Sequence, residues 1–149
     1  MNALTRIRRG SLWLILCTIA TMLAACAGMS ADKPQSIKVT LSGAQQNPPV
    51  TTSASGSGTF TVGPDMSISG SVTTTGVEGR VAHIHVGAMG TNGPVISPLT
   101  KTSDNVWSAP PGAKLTEAQY ERYKAGDLYV NVHSAKHKGG EIRGQLKPR

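Results

Sequence analysis

The residues of this 149-residue chain best suited to chemistry are its four histidines, and three of them fall at β-strand spacing. His83 and His85 are two residues apart in Val81-Ala-His-Ile-His-Val86, and His133 closes Leu128-Tyr-Val-Asn-Val-His133. Successive side chains of a strand point to opposite faces, so His83 and His85 share one. At about 3.3 Å per residue they stand roughly 6.6 Å apart along the strand, near enough for both rings to tilt onto one ion. His133 is a candidate third nitrogen ligand, and Glu141 a candidate carboxylate ligand or outer partner. Copper or zinc suits such a donor set. The same residues admit a second reading, a polar ladder that fixes strand register. In it the imidazoles bond to backbone, Asn131 or Glu141, and Arg143 pairs with Glu141. His137, between Lys136 and Lys138, reads as a solvated loop residue.

The elements that must position these groups follow from the same two-residue period. Ala82, Ile84 and Val86 oppose the histidine face; Leu128, Val130 and Val132 oppose Tyr129, Asn131 and His133; Ile142, Gly144 and Leu146 oppose Glu141, Arg143 and Gln145. Burying the aliphatic faces is the main driving force available, which turns the polar sets away from the core. With all three strands in one sheet, one surface gathers His83, His85, His133, Asn131, Glu141 and Arg143. Ile37, Val39 and Leu41 mark an earlier strand. The Ser/Thr/Gly-rich stretch 51–61 reads as another, and Met66 to Thr73 as a third after the turn Gly63-Pro64-Asp65. Turns at roughly ten-residue intervals indicate an antiparallel sandwich or barrel. One helix interrupts them near residues 116–125. Thr116 and Gln119 have the capping-box spacing, Leu115 and Tyr120 the staple positions, and Gly126 supplies the stop.

Other chemistries lack their required parts. Gly87, Gly90 and Gly93 follow a strand, but Pro94 and a further apolar run follow them, so no helix N-terminus cradles a phosphate; these glycines and Asn92 read as turn residues. Ser134 next to His133 points to the opposite face, so the two form no catalytic pair. No enzyme activity is expected on these grounds. Trp107, Tyr120, Tyr123 and Tyr129 read as packing residues. At 4% aromatics and without a dense basic face, nucleic acid is not an expected partner.

The N-terminus supplies an address. Arg6, Arg8 and Arg9 precede an apolar run from Leu12 to Met22, a layout that predicts a secretory signal over residues 1–25, too short for a spanning helix. Leu23-Ala-Ala-Cys26 resembles a bacterial lipobox, which implies cleavage before Cys26 and lipidation of its sulfur. Several acyl chains at about 0.8 kcal/mol per buried methylene make a stable anchor. By the same resemblance Ala27 implies the outer membrane of a bacterial envelope, facing the periplasm or the cell surface. Residues 26–35 form a tether and residues 36–149 one domain. The mature chain carries 12 basic and 8 acidic residues, net +4, because three arginines leave with the signal. Cys17 leaves too and Cys26 takes lipid, so no disulfide is expected.

Three ordered segments then resemble one family. They are Leu41-Ser-Gly-Ala-Gln-Gln-Asn-Pro-Pro-Val50; Ala82-His-Ile-His-Val-Gly87 with Asn92-Gly-Pro-Val95; and Gly126-Asp-Leu-Tyr-Val-Asn-Val-His133 with Gly139-Gly-Glu-Ile-Arg-Gly-Gln145. Together they resemble the CHRD domain, a module named after chordin, across roughly residues 36 to 147. The chain departs from that pattern at Gln46 and Asn47. The resemblance implies an immunoglobulin-like antiparallel β-sandwich with Greek-key connections, acting as a binding or structural module toward a protein or envelope polymer. It implies no activity. The His-x-His-x-Gly stretch also resembles that of Cu/Zn superoxide dismutases, a type that uses more histidines and a disulfide.

Overall fold

Strand and turn alternate along the chain as the two-residue periods require. The structure is a computed structural model that describes residues 33–148; the signal over residues 1–25, Cys26 and most of the tether lie outside the described residues. Eight strands form: β1 (Gln35–Ser42), β2 (Ser55–Val62), β3 (Ile68–Thr75), β4 (Gly79–Val86), β5 (Val95–Ser103), β6 (Val106–Ser108), β7 (Leu128–Ser134) and β8 (Ile142–Leu146). A single 3₁₀ turn, Gly43–Gln45, follows β1. The stretch 51–61 yields a strand only from Ser55 onward.

All pairings are antiparallel, in the order 1-2-3-6-5-4-7-8, and a bridge between Ser42 and Arg143 closes the sheet on itself. Strands β4, β5 and β6 run as successive neighbours, and β7 returns to lie beside β4, which is a Greek-key connection. That return carries the helix α1 (Glu117–Lys124). Both arms of its capping box form: Gln119 N–H donates to Thr116 Oγ1 at 3.3 Å, and Thr116 N–H donates to the Gln119 side chain at 2.9 Å. Gly126 ends it at φ 78°, a left-handed conformation that glycine adopts without penalty. Tyr123 is the helix residue buried against the sheet. No helix among the described residues is long and apolar enough to cross a membrane.

The aliphatic faces meet inside. Ile84, Leu128, Val130, Val132, Ile142 and Leu146 are all fully buried, together with Leu41, Phe60 and Val72 from the other half of the sheet. Trp107 is buried from the three-residue strand β6. Among the described residues the fold is thus mainly β with one short helix, as the alternation requires.

The opposite face of β4, β7 and β8 is not a solvent surface. His85, Asn131, Glu141, Arg143 and Gln145 are buried as well. Residues 87–94 fold over this face. Gly87 N–H donates to Asp127 O at 2.7 Å, and Val86 N–H donates to Pro94 O at 3.1 Å. Side chains at Gly87 and Gly93 would meet backbone: a Cβ on Gly93 would run into the Val86 carbonyl, and one on Gly87 into the Thr91 carbonyl at 2.7 Å. These glycines therefore permit close approach within the covering loop, beyond their role in turning it.

Candidate metal centre

Strand register places the polar residues in rows. His83 lies opposite Asn131, which lies opposite Arg143; His85 lies opposite Tyr129, which lies opposite Gln145; Val81 lies opposite His133. A bulge between Ile84 and His85 shifts the β5 pairing by one residue and sets Val95 opposite His85. His83, His85 and His133 consequently form one cluster, with one ligand nitrogen from each lying within 4.8 Å of the others. A tetrahedral ion with nitrogens at about 2.0–2.1 Å needs separations of roughly 3.4 Å. The His83 Nδ1 to His133 Nε2 distance, 3.2 Å, already meets that requirement.

Hydrogen bonding determines which nitrogens carry lone pairs. His85 Nδ1 lies 2.9 Å from the Gly93 carbonyl, and His133 Nδ1 lies 2.8 Å from the Lys138 carbonyl. A carbonyl only accepts, so both Nδ1 atoms are protonated, and in the neutral form of each ring the lone pair lies on Nε2. His83 then donates from Nδ1 to His133 Nε2. The His85 Nε2 lone pair is buried and has no hydrogen-bond partner. Buried acceptors of this kind are uncommon, since desolvation is uncompensated. An imidazole tied to a carbonyl through one nitrogen, with the other free, is the arrangement that outer-shell partners impose on metal ligands.

The same surroundings favour the neutral forms of His83 and His85. Burial lowers the pKa of His83, and the neighbouring His133 and His85 lower it further. Burial also lowers that of His85; the bond to Gly93 opposes this, while His133 and Arg143 reinforce it. A neutral imidazole is the form that coordinates a metal.

A second layer holds His85. Its ring stacks on Tyr129 at 4.7 Å between centroids and 8° between planes. The Arg143 guanidinium lies over the same tyrosine at 3.5 Å, reaching it from β8 while His85 reaches it from β4. Arg143 donates to Thr91 O at 3.0 Å, to Ala88 O at 2.9 Å and to the Gln145 side chain at 3.1 Å. Gln145 donates to Gly87 O at 2.8 Å and to Gly126 O at 2.9 Å. The Tyr129 hydroxyl accepts from Gly93 N–H at 3.1 Å. Three side chains thus pin the loop that presents the Gly93 carbonyl to His85.

Two sequence expectations change here. Arg143 does not pair with Glu141; its guanidinium is spent on loop carbonyls and the tyrosine face. Glu141 is not among the clustered ligands, because the β7–β8 ladder ends at Val132 opposite Ile142 and leaves it one residue beyond. Its carboxylate accepts from Thr52 Oγ1 at 2.8 Å. Burial by itself would raise its pKa; hydrogen bonds from Ser134 and Thr52, with His137 and Lys136 nearby, bring it below the ordinary value. Asn131 stands between His83 and Arg143 in register, but its amide turns to Gln46, accepted by Gln46 Oε1 at 3.4 Å. Gly140 makes room there, since a Cβ on it would collide with both amides.

Tyr129, Gln145, Gln46 and Gly93 are the contributors that sequence reasoning did not assign to the site. Gln145 shares the face of Arg143 by strand period, and Tyr129 that of His133. What no local pattern discloses is that their partners are backbone groups of residues 87–94. Neither of two surface depressions, one lined by Val77, Glu78, Arg80 and Lys101, the other by Met89, Lys124, Asp127 and Lys147, includes a histidine.

Comparisons with known proteins agree with the motif reading. No curated protein and no solved structure matches the chain. The family model of the CHRD domain matches residues 37–146, a span that runs from the first core residue of β1 to the last of β8 and includes every residue of the histidine cluster. The chain belongs to the CHRD domain family.

Proposed function

We propose that this chain is an exported, lipid-anchored binding domain of the bacterial envelope whose histidine cluster takes up a copper or zinc ion. The observation that carries the metal reading is the pair of bare Nε2 atoms, on His85 and His133, each created by a carbonyl on the far side of its ring. His83 would supply the third nitrogen to a bound ion, giving up its 3.2 Å hydrogen bond to His133 Nε2. Neutral imidazoles of intermediate softness suit both metals.

The anchor rests on the charged and apolar stretches before Leu23-Ala-Ala-Cys26. It puts the domain at the outer membrane, where a protein or envelope polymer is the partner class in reach. The immunoglobulin-like description belongs to the same proposal; the antiparallel pairing, the aliphatic interior and the Greek-key return of β7 support it.

Dialysis of residues 27–149 against Cu²⁺ or Zn²⁺, followed by removal of free ion, is expected to leave one ion per chain. The variant His83→Ala/His85→Ala is expected to retain none and to keep its fold, because the aliphatic core lies on the other face. No ion retained by the unaltered protein, together with a large fall in melting temperature for the variant, would instead establish the polar ladder. That second reading is supported by the unbroken chain of bonds from Lys138 O through His133 to His83. For the anchor, Cys26→Ser is expected to abolish palmitate labelling and release the protein from the membrane fraction. Equal labelling of the two proteins would refute lipidation at that sulfur.

A further inference from the structure

We propose that the metal-loaded histidine cluster keeps one coordination position facing solvent and that this position takes a small inorganic anion. The inference rests on the metal reading above and adds what the bound ion does next.

The ligand count comes first. Among the described residues the cluster consists of three imidazoles and no carboxylate. Glu141, the carboxylate that the sequence offers as a ligand, is bonded to Thr52 instead. Structural sites for zinc close with four protein ligands, whereas three-ligand sites leave a position for water or another ligand. Three neutral donors also leave the full charge of a divalent ion uncompensated.

Placement determines where the open position lies. His85 is buried, packed on Tyr129 beneath residues 87–94, and forms the inner wall. His83 and His133 are half-buried and form the mouth. Val81, opposite His133, is 46% exposed and Val95, opposite His85, is 50% exposed. Valine cannot coordinate a metal, so the rim on these two sides supplies no fourth ligand.

Charge and shape select the occupant. The Arg143 guanidinium lies over Tyr129, on whose ring His85 stacks, and its charge reaches the His85 imidazole. This cation on the inner side adds to the uncompensated charge of the ion, which favours an anion over water or a neutral donor. The mouth opens on a sheet face between the half-buried His83 and His133, and the two surface depressions described above lie elsewhere. A small inorganic anion, bound through its charge and one donor atom, fits these conditions.

Sodium azide is the probe. The mature protein is loaded with Cu²⁺, freed of excess ion and titrated with azide at constant ionic strength. Absorption and electron paramagnetic resonance follow the metal, and ultrafiltration measures released copper. The expected result is a saturable azide-to-copper charge-transfer band with altered resonance parameters and all copper retained. Val81→Glu places a carboxylate at the mouth and is expected to weaken azide binding at least tenfold while copper stays bound. Copper retained with spectra that azide does not change overturns this inference and leaves the metal reading standing. Azide that strips the copper overturns it as well. Failure to retain copper before any azide is added overturns the metal reading and this inference together.

Discussion

Arg143→Ala is expected to lower the melting temperature by roughly 10–20 °C, the largest effect of any single substitution on the polar face. Arg143 is 1% exposed and has no carboxylate partner, so its charge is stabilised by three oxygens and one aromatic face. Hydrogen bonds from a charged donor contribute about 1.5–3 kcal/mol each, and stacking on a buried ring adds about 1–2 kcal/mol. Water recovers part of this in the variant, because Thr91 is exposed and Ala88 only half-buried, so their carbonyls resolvate. A net loss of about 3–4 kcal/mol remains, including the cavity left under the loop. Arg143→Lys is expected to restore less than half of it, since an ammonium cannot fork between the Ala88 and Thr91 carbonyls while lying flat on Tyr129.

The same substitution has a second readout that separates the loop from mere stability. Once residues 87–94 are no longer pinned, the Gly93 carbonyl no longer fixes the His85 ring. Loss of an outer partner of a metal-ligating histidine typically costs 10–100-fold in affinity, and a decrease of about that size is expected for copper or zinc. Glu141→Gln, by contrast, is expected to leave metal affinity unchanged, because that carboxylate faces Thr52. Thermal melts and metal titrations of the three variants decide the point. Wild-type melting and affinity in Arg143→Ala would show that something other than this arginine holds the loop.

Acid is expected to release the metal steeply. His83 and His85 both have pKa values below 6.5, burial being the main cause in each case. At pH 7 neither needs to lose a proton to bind an ion. As pH falls through their lowered values, protons compete at two ligands, so affinity falls by up to about a hundredfold per pH unit. Equilibrium dialysis at a series of pH values measures the slope, and full affinity retained down to the pH of acid unfolding would exclude these two ligands.

The metal-free protein has its own acid dependence, and the sign follows from linkage. His83 and His85 titrate at about 6.5 in the unfolded chain and lower in the folded one, so protons favour the unfolded chain in that interval. Their contribution is complete above 6.5 and is lost as pH descends through the folded values. Glu141 adds a separate decline at lower pH: its contribution is present above 4.5 and disappears as pH falls through its lowered value. Melts in chelator across this range are expected to show both declines.

The alternation in 82–86, 128–133 and 142–146 by itself determined which side chains of β4, β7 and β8 face the aliphatic core, because a strand has only two sides. The capping box of Thr116 and Gln119 determined where α1 begins, because its partners lie within one turn. The segments from Leu41 to Gln145 determined the family. Tertiary structure decided what the polar side of the sheet meets. A period of two places Arg143 on the face of Glu141 without saying whether water, a loop or a carboxylate lies above it. Residues 87–94 lie above it, and a charged donor between carbonyls and a tyrosine face is satisfied without an acid. Strand order was likewise beyond local reach: β4 pairs with β7 across the whole of β5, β6 and α1, and only that long-range pairing sets His133 beside His83.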